Sequence, residues 1–328
     1  MVDSPPMHSE AIAHPNIALI KYWGNREETL RIPANGSISL TLGGLDNRMS
    51  VRFDEGLASD TLDINGAPAA PEMVERASIH LDLLRAMADV ADRAELVSET
   101  NFPLGAGIAS SAAAFAAITV AAASALQLEL NPEELSRIAR RGSGSAARSI
   151  QGGFVELLAG DSDQTSFAQQ IAPEAHWPIV DLVVIVDEQV KHTGSSTGHT
   201  LAESSPLQDS RVADAPRRLQ ACRNAILERD FPSLTQIVER DSDMMHAIMM
   251  TSEPPLHFWT GATLQVMSAV RELRADGVPV CYTIDAGPNV HCLCLPESER
   301  DVLQALTSHE NASWNVLRAQ VGPAAQVV

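Results

Sequence analysis

Pro103-Leu104-Gly105-Ala106-Gly107-Ile108-Ala109-Ser110-Ser111 is the stretch that decides how this chain reads. It follows a short polar strand and opens straight into an alanine-rich helix, Ser110 to Leu126. Gly105, Ala106 and Gly107 let backbone N–H groups approach an anion. The helix start, entered through Ala109, adds positive potential, and Ser110 and Ser111 add hydroxyl donors. It is not a Walker loop, because no Gly-Lys-Ser/Thr follows. A glycine turn closed by a serine cap uses the same letters, so the rest of the chain must decide between the two.

Working outward, strand-like segments precede the loop: Asn16 to Trp23, Ile38 to Leu42 and Met49 to Phe53. Pro71 opens an amphipathic helix with Val74, Ala77, Leu81, Leu84 and Ala88 at helical spacing. Pro132 starts a further helix that reaches about Arg141, with proline at its first position. Phe154 to Leu158 and Leu182 to Val186 read as strands. A polar loop spans Glu188 to Asp209. Helices follow over Val212 to Arg229, Pro232 to Met249 and Gly261 to Ala275. Val278 to Ile284 and Val290 to Leu295 form a hairpin-like pair around Asp285-Ala286-Gly287-Pro288-Asn289, and a last helix covers Glu299 to Ser308. Mixed runs of strands and helices predict an α+β fold with two lobes, residues 1–185 and 186–328.

The chain has 328 residues, 45% of them apolar and 20% charged, enough for proper cores and against wholesale disorder. Its net charge of −19 disfavours a nucleic-acid surface. The residues Met1 to Glu10 carry no leader pattern, and Ala109 to Leu126 is too interrupted by Ser110, Ser111, Thr119 and Ser124 to span a membrane. Cys222, Cys281, Cys292 and Cys294 form no CxxC pair, so a reduced, cytoplasmic protein is expected. A phosphate ligand would require cations gathered locally. Only Lys21 and Lys191 are lysines among 23 basic residues, which draws attention to wherever a compact ammonium was kept.

Three other polar loops and one cluster can meet the glycine loop. Ser143-Gly144-Ser145 leads to Arg148, whose guanidinium can fork onto a phosphate or carboxylate, although a helix C-cap and connector read alike. Lys191 to Gly198 holds Thr193, Ser195, Ser196 and Thr197, and alone would be a solvated loop. Asp285 before Ala-Gly-Pro would alone be a turn residue. Near the start, Lys21-Tyr22-Trp23-Gly24 sets a rare lysine beside two aromatics.

Together these segments resemble the mevalonate diphosphate decarboxylases of the GHMP small-molecule kinase superfamily. The resemblance is carried by His14-Pro15-Asn16-Ile17-Ala18 through Lys21-Tyr22-Trp23-Gly24 and by Pro33-Ala34-Asn35-Gly36-Ser37-Ile38-Ser39. Gly105 to Ser111, Ser143 to Ser149 and Asp285 to Asn289 complete it in the family's order. It implies the two-lobe GHMP kinase fold with the active site between the lobes, ATP and Mg²⁺, no assigned metal-ligating residue, and a homodimer. It also implies the reaction: ATP phosphorylates the 3-hydroxyl of a 5-phosphorylated mevalonate, and CO₂ and phosphate then leave. Asp285 matches the family's catalytic aspartate and Lys21 the lysine that contacts it. The loop of Gly105, Ala106, Gly107, Ala109, Ser110 and Ser111 would cradle ATP. Ser143, Gly144, Ser145 and Arg148, with Tyr22 and Ser195, would hold the substrate.

Three positions depart from the family pattern, and two of them are missing cations that bear on the substrate. The family's Lys-Tyr-Trp-Gly-Lys ends here in Asn25, and an arginine common after the serine matching Ser195 is here Ser196. The family's Gly-Met reads Gly198-His199. Each missing cation would cost on the order of 1–3 kcal/mol toward a doubly charged phosphate. The expectation is therefore mevalonate 5-phosphate as favoured substrate, giving isopentenyl phosphate, with the 5-diphosphate as the alternative. Lys191, Arg26 and His199 are the candidate substitute charges. A 3-kinase without decarboxylation is disfavoured by the presence of Asp285 and Lys21, and an inactive GHMP-fold regulator that binds a phosphate ligand is disfavoured by Asp285, Lys21 and Arg148 together.

Overall fold

The computed structural model describes residues 7–103, 109–187, 195–307 and 314–328. The loop residues Gly105, Ala106 and Gly107, and also Lys191 and Thr193, lie outside the described residues. Ser195 is placed only as the first residue of the helix Ser195–Leu201.

Two sheets dominate. In the first, among the described residues, six strands run in the order Gln326–Val327, Met7–Ala13, Asn47–Asp54, Arg93–Thr100, Thr61–Ile64, Ala67–Pro68. Among the described strands only the pairing of Thr61–Ile64 with Arg93–Thr100 is parallel. Its inner face (Ala11, Met49, Val51, Phe53, Leu96) packs on the helices Pro71–Ala88 and Ser110–Ala125. The alanines of the second helix let it lie close to the strands, so nearly every side chain from Ala112 to Ala125 is buried.

The second sheet has eight strands among the described residues. Ser37–Gly43 pairs with Asn16–Ile20 and with Phe154–Leu157, and Asn315–Val321 joins it to Val180–Ile185. One continuous sheet therefore runs through both halves of the chain. The hairpin is Val280–Thr283 against Val290–Cys294, with Thr283 opposite His291. Cys292 and Cys294 share the buried face against Val266 and Val270 of the helix Gly261–Ala275.

Local sequence accounts for the helix starts. Pro71 and Pro132 sit in the first helical turn, and Asn131 closes a capping box with Glu134. Three expectations need correcting. The strand from Asn16 ends at Ile20, not Trp23, because the Lys21 N–H donates to the Asp241 carboxylate (2.6 Å) and leaves the ladder. The polar loop 188–209 contains a helix, Ser195–Leu201. The next helix begins at Gln208, ahead of Val212, where the buried Gln208 side chain donates to the Trp23 carbonyl (2.9 Å). The strands Met7–Ala13 and Asn315–Val321 were not expected; both are weakly patterned and become strands through their neighbours.

Candidate active site

The strand Asn16–Ile20 delivers Lys21 and the strand Val280–Thr283 delivers Asp285, and their side chains meet between the halves. Lys21 Nζ donates to Asp285 Oδ1 at 2.6 Å. Lys21 is 1% exposed, whereas a quarter of the Asp285 side chain is open to the cleft. Burial alone would raise the Asp285 carboxyl, but the Lys21 ammonium, with Arg148 further off, holds it below the ordinary carboxylate range. Burial pushes Lys21 down, opposed by Asp285 and Asp241.

The surrounding backbone is braced. Ser242 Oγ accepts from the Ile284 N–H at 3.0 Å, and the Gly287 N–H closes on the Asp285 carbonyl at 2.7 Å. Asn289 Oδ1 accepts from the Val186 and Asp187 N–H groups. On the other side, the Lys21 carbonyl accepts from Asn35 (3.0 Å) and Arg211 (2.8 Å). Arg218 completes this support by donating to Asp241 at 2.7 Å.

Arg148 lies in the 3₁₀ turn Gly144–Ser149 and is 3% exposed. Its NH1 donates to Ser37 Oγ at 2.6 Å, and its Nε and NH2 share Asn16 Oδ1. Asn16 in turn donates to the Ser145 carbonyl and to Ser149 Oγ, which ties strand to turn. Burial lowers the guanidinium to about 10, so it stays charged at neutral pH. Among the described residues no carboxylate lies within ion-pair distance of it. A buried, oriented cation of this kind suits an incoming carboxylate or phosphate.

Ser143 Oγ stands 3.2 Å from Ser111 Oγ and 3.3 Å from Ser145 Oγ, so the start of the alanine-rich helix and the second loop converge. Ala109 enters that helix at φ 50°, in the left-handed region. Gly144 has no room for a side chain, because a Cβ there would strike the Tyr22 ring. The Tyr22 hydroxyl donates to Asn25 Oδ1, and Asn25 Nδ2 donates to Glu28 at 2.7 Å. His199 packs beside Tyr22 and Trp23, with ring centroids 4.3 and 4.7 Å apart.

A single cleft is thus lined by Lys21, Tyr22, Ser111, Ser143, Gly144, Ser145, Arg148 and Asp285. Ala109, Arg31 and His199 share its wall. Asn25 lies behind Tyr22. Ser110 opens instead onto an adjoining apolar cavity of about 380 Å³ lined by Met49, Leu62, Arg76, Phe115 and Ile118.

Sequence reasoning missed the supports. Asp241 interrupts the buried stripe Leu234, Val238, Met245, Ile248, and Arg211 and Arg218 interrupt the stripe Ala215, Cys222, Ala225 on the facing helix. Charges at apolar positions of two helices were the available signal. Asn16 and Ser37 stood inside quoted motifs, but nothing local tied them to Arg148.

The chain matches two family models: the diphosphomevalonate decarboxylase-like N-terminal domain over residues 13–168 and the mevalonate 5-diphosphate decarboxylase C-terminal domain over residues 181–323. It is 36% identical to a diphosphomevalonate decarboxylase of Candida albicans, over 92% of this chain and 89% of that protein. It is 33% identical to the human diphosphomevalonate decarboxylase, over 93% and 82%. Among solved structures, a mevalonate diphosphate decarboxylase from Enterococcus faecalis superposes with a TM-score of 0.92 at 35% identity, covering 99% of each chain. The complex "MDDEF in complex with MVAPP, AMPPCP and Magnesium" reaches 0.93, also at 35% and 99% of each chain. With both halves matched in order and relatives similar over nearly its whole length, the chain belongs to the diphosphomevalonate decarboxylase family.

Proposed function

We propose that the protein is an ATP-dependent decarboxylase acting on mevalonate 5-diphosphate and releasing isopentenyl diphosphate, CO₂ and phosphate. The observation that carries this reading is the Lys21–Asp285 pair facing the same cleft as Arg148, which has no carboxylate in ion-pair distance among the described residues.

In this reading Asp285 receives the proton of the 3-hydroxyl as that oxygen attacks the γ-phosphorus of ATP and the bond to the ADP oxygen breaks. Lys21 keeps Asp285 ionised and fixes its direction. The 3-phosphate then departs as the bond to the carboxylate carbon breaks. The electron pair of that bond forms the alkene. Arg148 orients the carboxylate; it is pinned by Asn16 and Ser37, so it can hold without following the charge as CO₂ leaves. Ser111, in the first turn of its helix, fits ATP phosphates, and the apolar cavity beyond Ser110 fits a purine ring. Magnesium would arrive with those phosphates and neutralise charge on the transferred group; among the described residues no three His, Cys, Asp or Glu side chains converge as a protein cage.

The 5-diphosphate replaces the monophosphate expected from Asn25 and Ser196. The relatives are named for the diphosphate, and one of the similar structures carries MVAPP. Arg31, which was not among the candidate substitute charges Lys191, Arg26 and His199, is brought to the cleft wall by the fold. Four buried, unpaired cysteines support a reducing compartment. Among the described residues no helix is long and apolar enough to cross a membrane.

The test measures ATP-dependent phosphate and CO₂ release with each substrate. Higher kcat/KM for the diphosphate is expected. A higher value for the monophosphate overturns the substrate assignment, and phosphate release without CO₂ overturns the decarboxylase.

A further inference from the structure

The cleft is not polar throughout. Beside the Lys21–Asp285 pair its wall is formed by Ala18, Met245 and Ala286, all three buried. The elements that carry them also carry the acid–base pair. Ala18 lies in the strand Asn16–Ile20, ahead of Lys21. Its carbonyl accepts from Thr283 Oγ1 at 3.3 Å, which seats it against the strand that leads to Asp285. Ala286 directly follows Asp285. Met245 stands on the helix Phe231–Met250, about one turn beyond Asp241 and Ser242, which take the Lys21 and Ile284 N–H groups. Behind the wall Met245 packs with Trp23, Ile248 and Met249, so its thioether is held in place.

An apolar wall next to the carboxylate that takes the hydroxyl proton calls for an apolar group on the same carbon. C3 of mevalonate bears a hydroxyl, a methyl and two arms, one ending in the carboxylate and the other in the phosphate. With the hydroxyl on Asp285 and the carboxylate on Arg148, the methyl is the group with no polar partner to meet.

We propose that Ala18, Met245 and Ala286 seat the 3-methyl group of the substrate, with Met245 setting the size of the alkyl group that fits. The proposal rests on the mevalonate reading above and adds a specificity determinant to it: methyl on C3 is preferred over hydrogen and over ethyl. A methyl missing from an apolar pocket lowers binding about tenfold or more. An extra methylene meets a close-packed wall and is rejected for the opposite reason. The seat also fixes C3 in rotation. Held at Asp285, at Arg148 and at the methyl, the carbon presents one hand to the cleft, and hydroxyl and carboxylate do not exchange partners.

Calorimetry without ATP tests this with the 5-diphosphates of mevalonate, of its 3-desmethyl analogue and of its 3-ethyl analogue. The proteins are wild type, Met245→Ala and Ala18→Val. Wild type should bind the methyl compound about tenfold or more tighter than either analogue. Met245→Ala enlarges the seat, so the ethyl compound should gain about tenfold relative to the methyl compound. Ala18→Val fills the seat with a residue that suits a strand. It should weaken the methyl compound about tenfold while the desmethyl compound binds as before. A packing role alone would move all three compounds together. Equal binding of the three by wild type, or ratios that neither variant changes, overturns the seat. Should Met245→Ala fail to fold, the Ala18→Val ratios decide. The same series made as 5-monophosphates separates the seat from the substrate assignment. A wild type that binds only the monophosphates overturns the diphosphate, and the ratios among them then uphold or overturn the seat. If neither series binds, both fall.

Discussion

Asp285 is the acidic side chain in the cleft held by an ammonium at 2.6 Å, and Asp285→Asn removes the acceptor while keeping the shape. Turnover should fall about 10²–10⁴-fold, with ATP binding nearly unchanged. Retention of more than about a tenth of wild-type kcat would refute the role, since a positioned base is worth far more than that. The carboxyl lies below its usual range, so the acid limb of kcat should lie below the pH at which a free aspartate titrates, with activity present above the limb and lost as pH falls through it. Ser111→Ala should act on the nucleotide side, because Ser111 lies in the first turn of the helix Ser110–Ala125. KM for ATP or kcat should change, and a variant with neither altered would exclude it. Gly144→Ala should push the Tyr22 ring, costing about 1–3 kcal/mol of packing, and should raise KM for the decarboxylation substrate. An unmoved KM would mean that Tyr22 does not set that wall.

At the scale of elements, the helices Gln208–Glu228 and Phe231–Met250 hold the site from behind. Arg211 and Arg218 face Asp241 at buried positions, and the same carboxylate accepts the Lys21 backbone. Removing it leaves Arg218 with Asp214 as its remaining carboxylate, Arg211 with only the Lys21 carbonyl and Asn35 among the described residues, and the Lys21 N–H without its acceptor. Asp241→Ala should therefore cost about 3–5 kcal/mol in urea denaturation. A change under about 1 kcal/mol would mean that the arginines find water or another acceptor. Replacement of the triad by apolar residues of matching size is the informative control, since such swaps are often neutral for stability. Here it should restore the urea midpoint but not kcat, because the Lys21 N–H would still lack its acceptor.

For the whole molecule, stability should depend on pH through buried neutral histidines. Burial takes His80 and His246 down to about 3, from 6.5. Below pH 6.5 the unfolded chain takes up protons that the folded chain refuses, so stability is lost as pH falls from about 6.5 toward 3. Each of the two contributes about 1.4 kcal/mol per pH unit at the steepest. The melting temperature should drop steadily between pH 6.5 and 5, and His80→Gln should flatten that slope. An unchanged slope would mean that His80 is protonated in the folded protein.

The sequence by itself determined the elements with strong local rules. Prolines at the first turns of the helices Pro71–Ala88 and Pro132–Gly142 set those starts, and alternating segments such as Asn47–Asp54 declared their strands. The loops bearing Lys21, Ser111, Arg148 and Asp285 were legible because small residues and isolated charges in fixed order are rare by chance. What only the tertiary structure decided are contacts between residues far apart in the chain. Lys21 meets Asp285 across 264 positions, Asp241 takes the Lys21 N–H across 220, and Asn16 and Ser37 aim Arg148 across more than a hundred. Likewise Arg31 became a wall of the cleft only once the hairpin of Asn25–Glu27 and Ile32–Pro33 was folded against Arg141. Local spacing encodes which face of a helix or strand is apolar. Which charge meets which depends on how those faces pack, and that is a property of the whole chain.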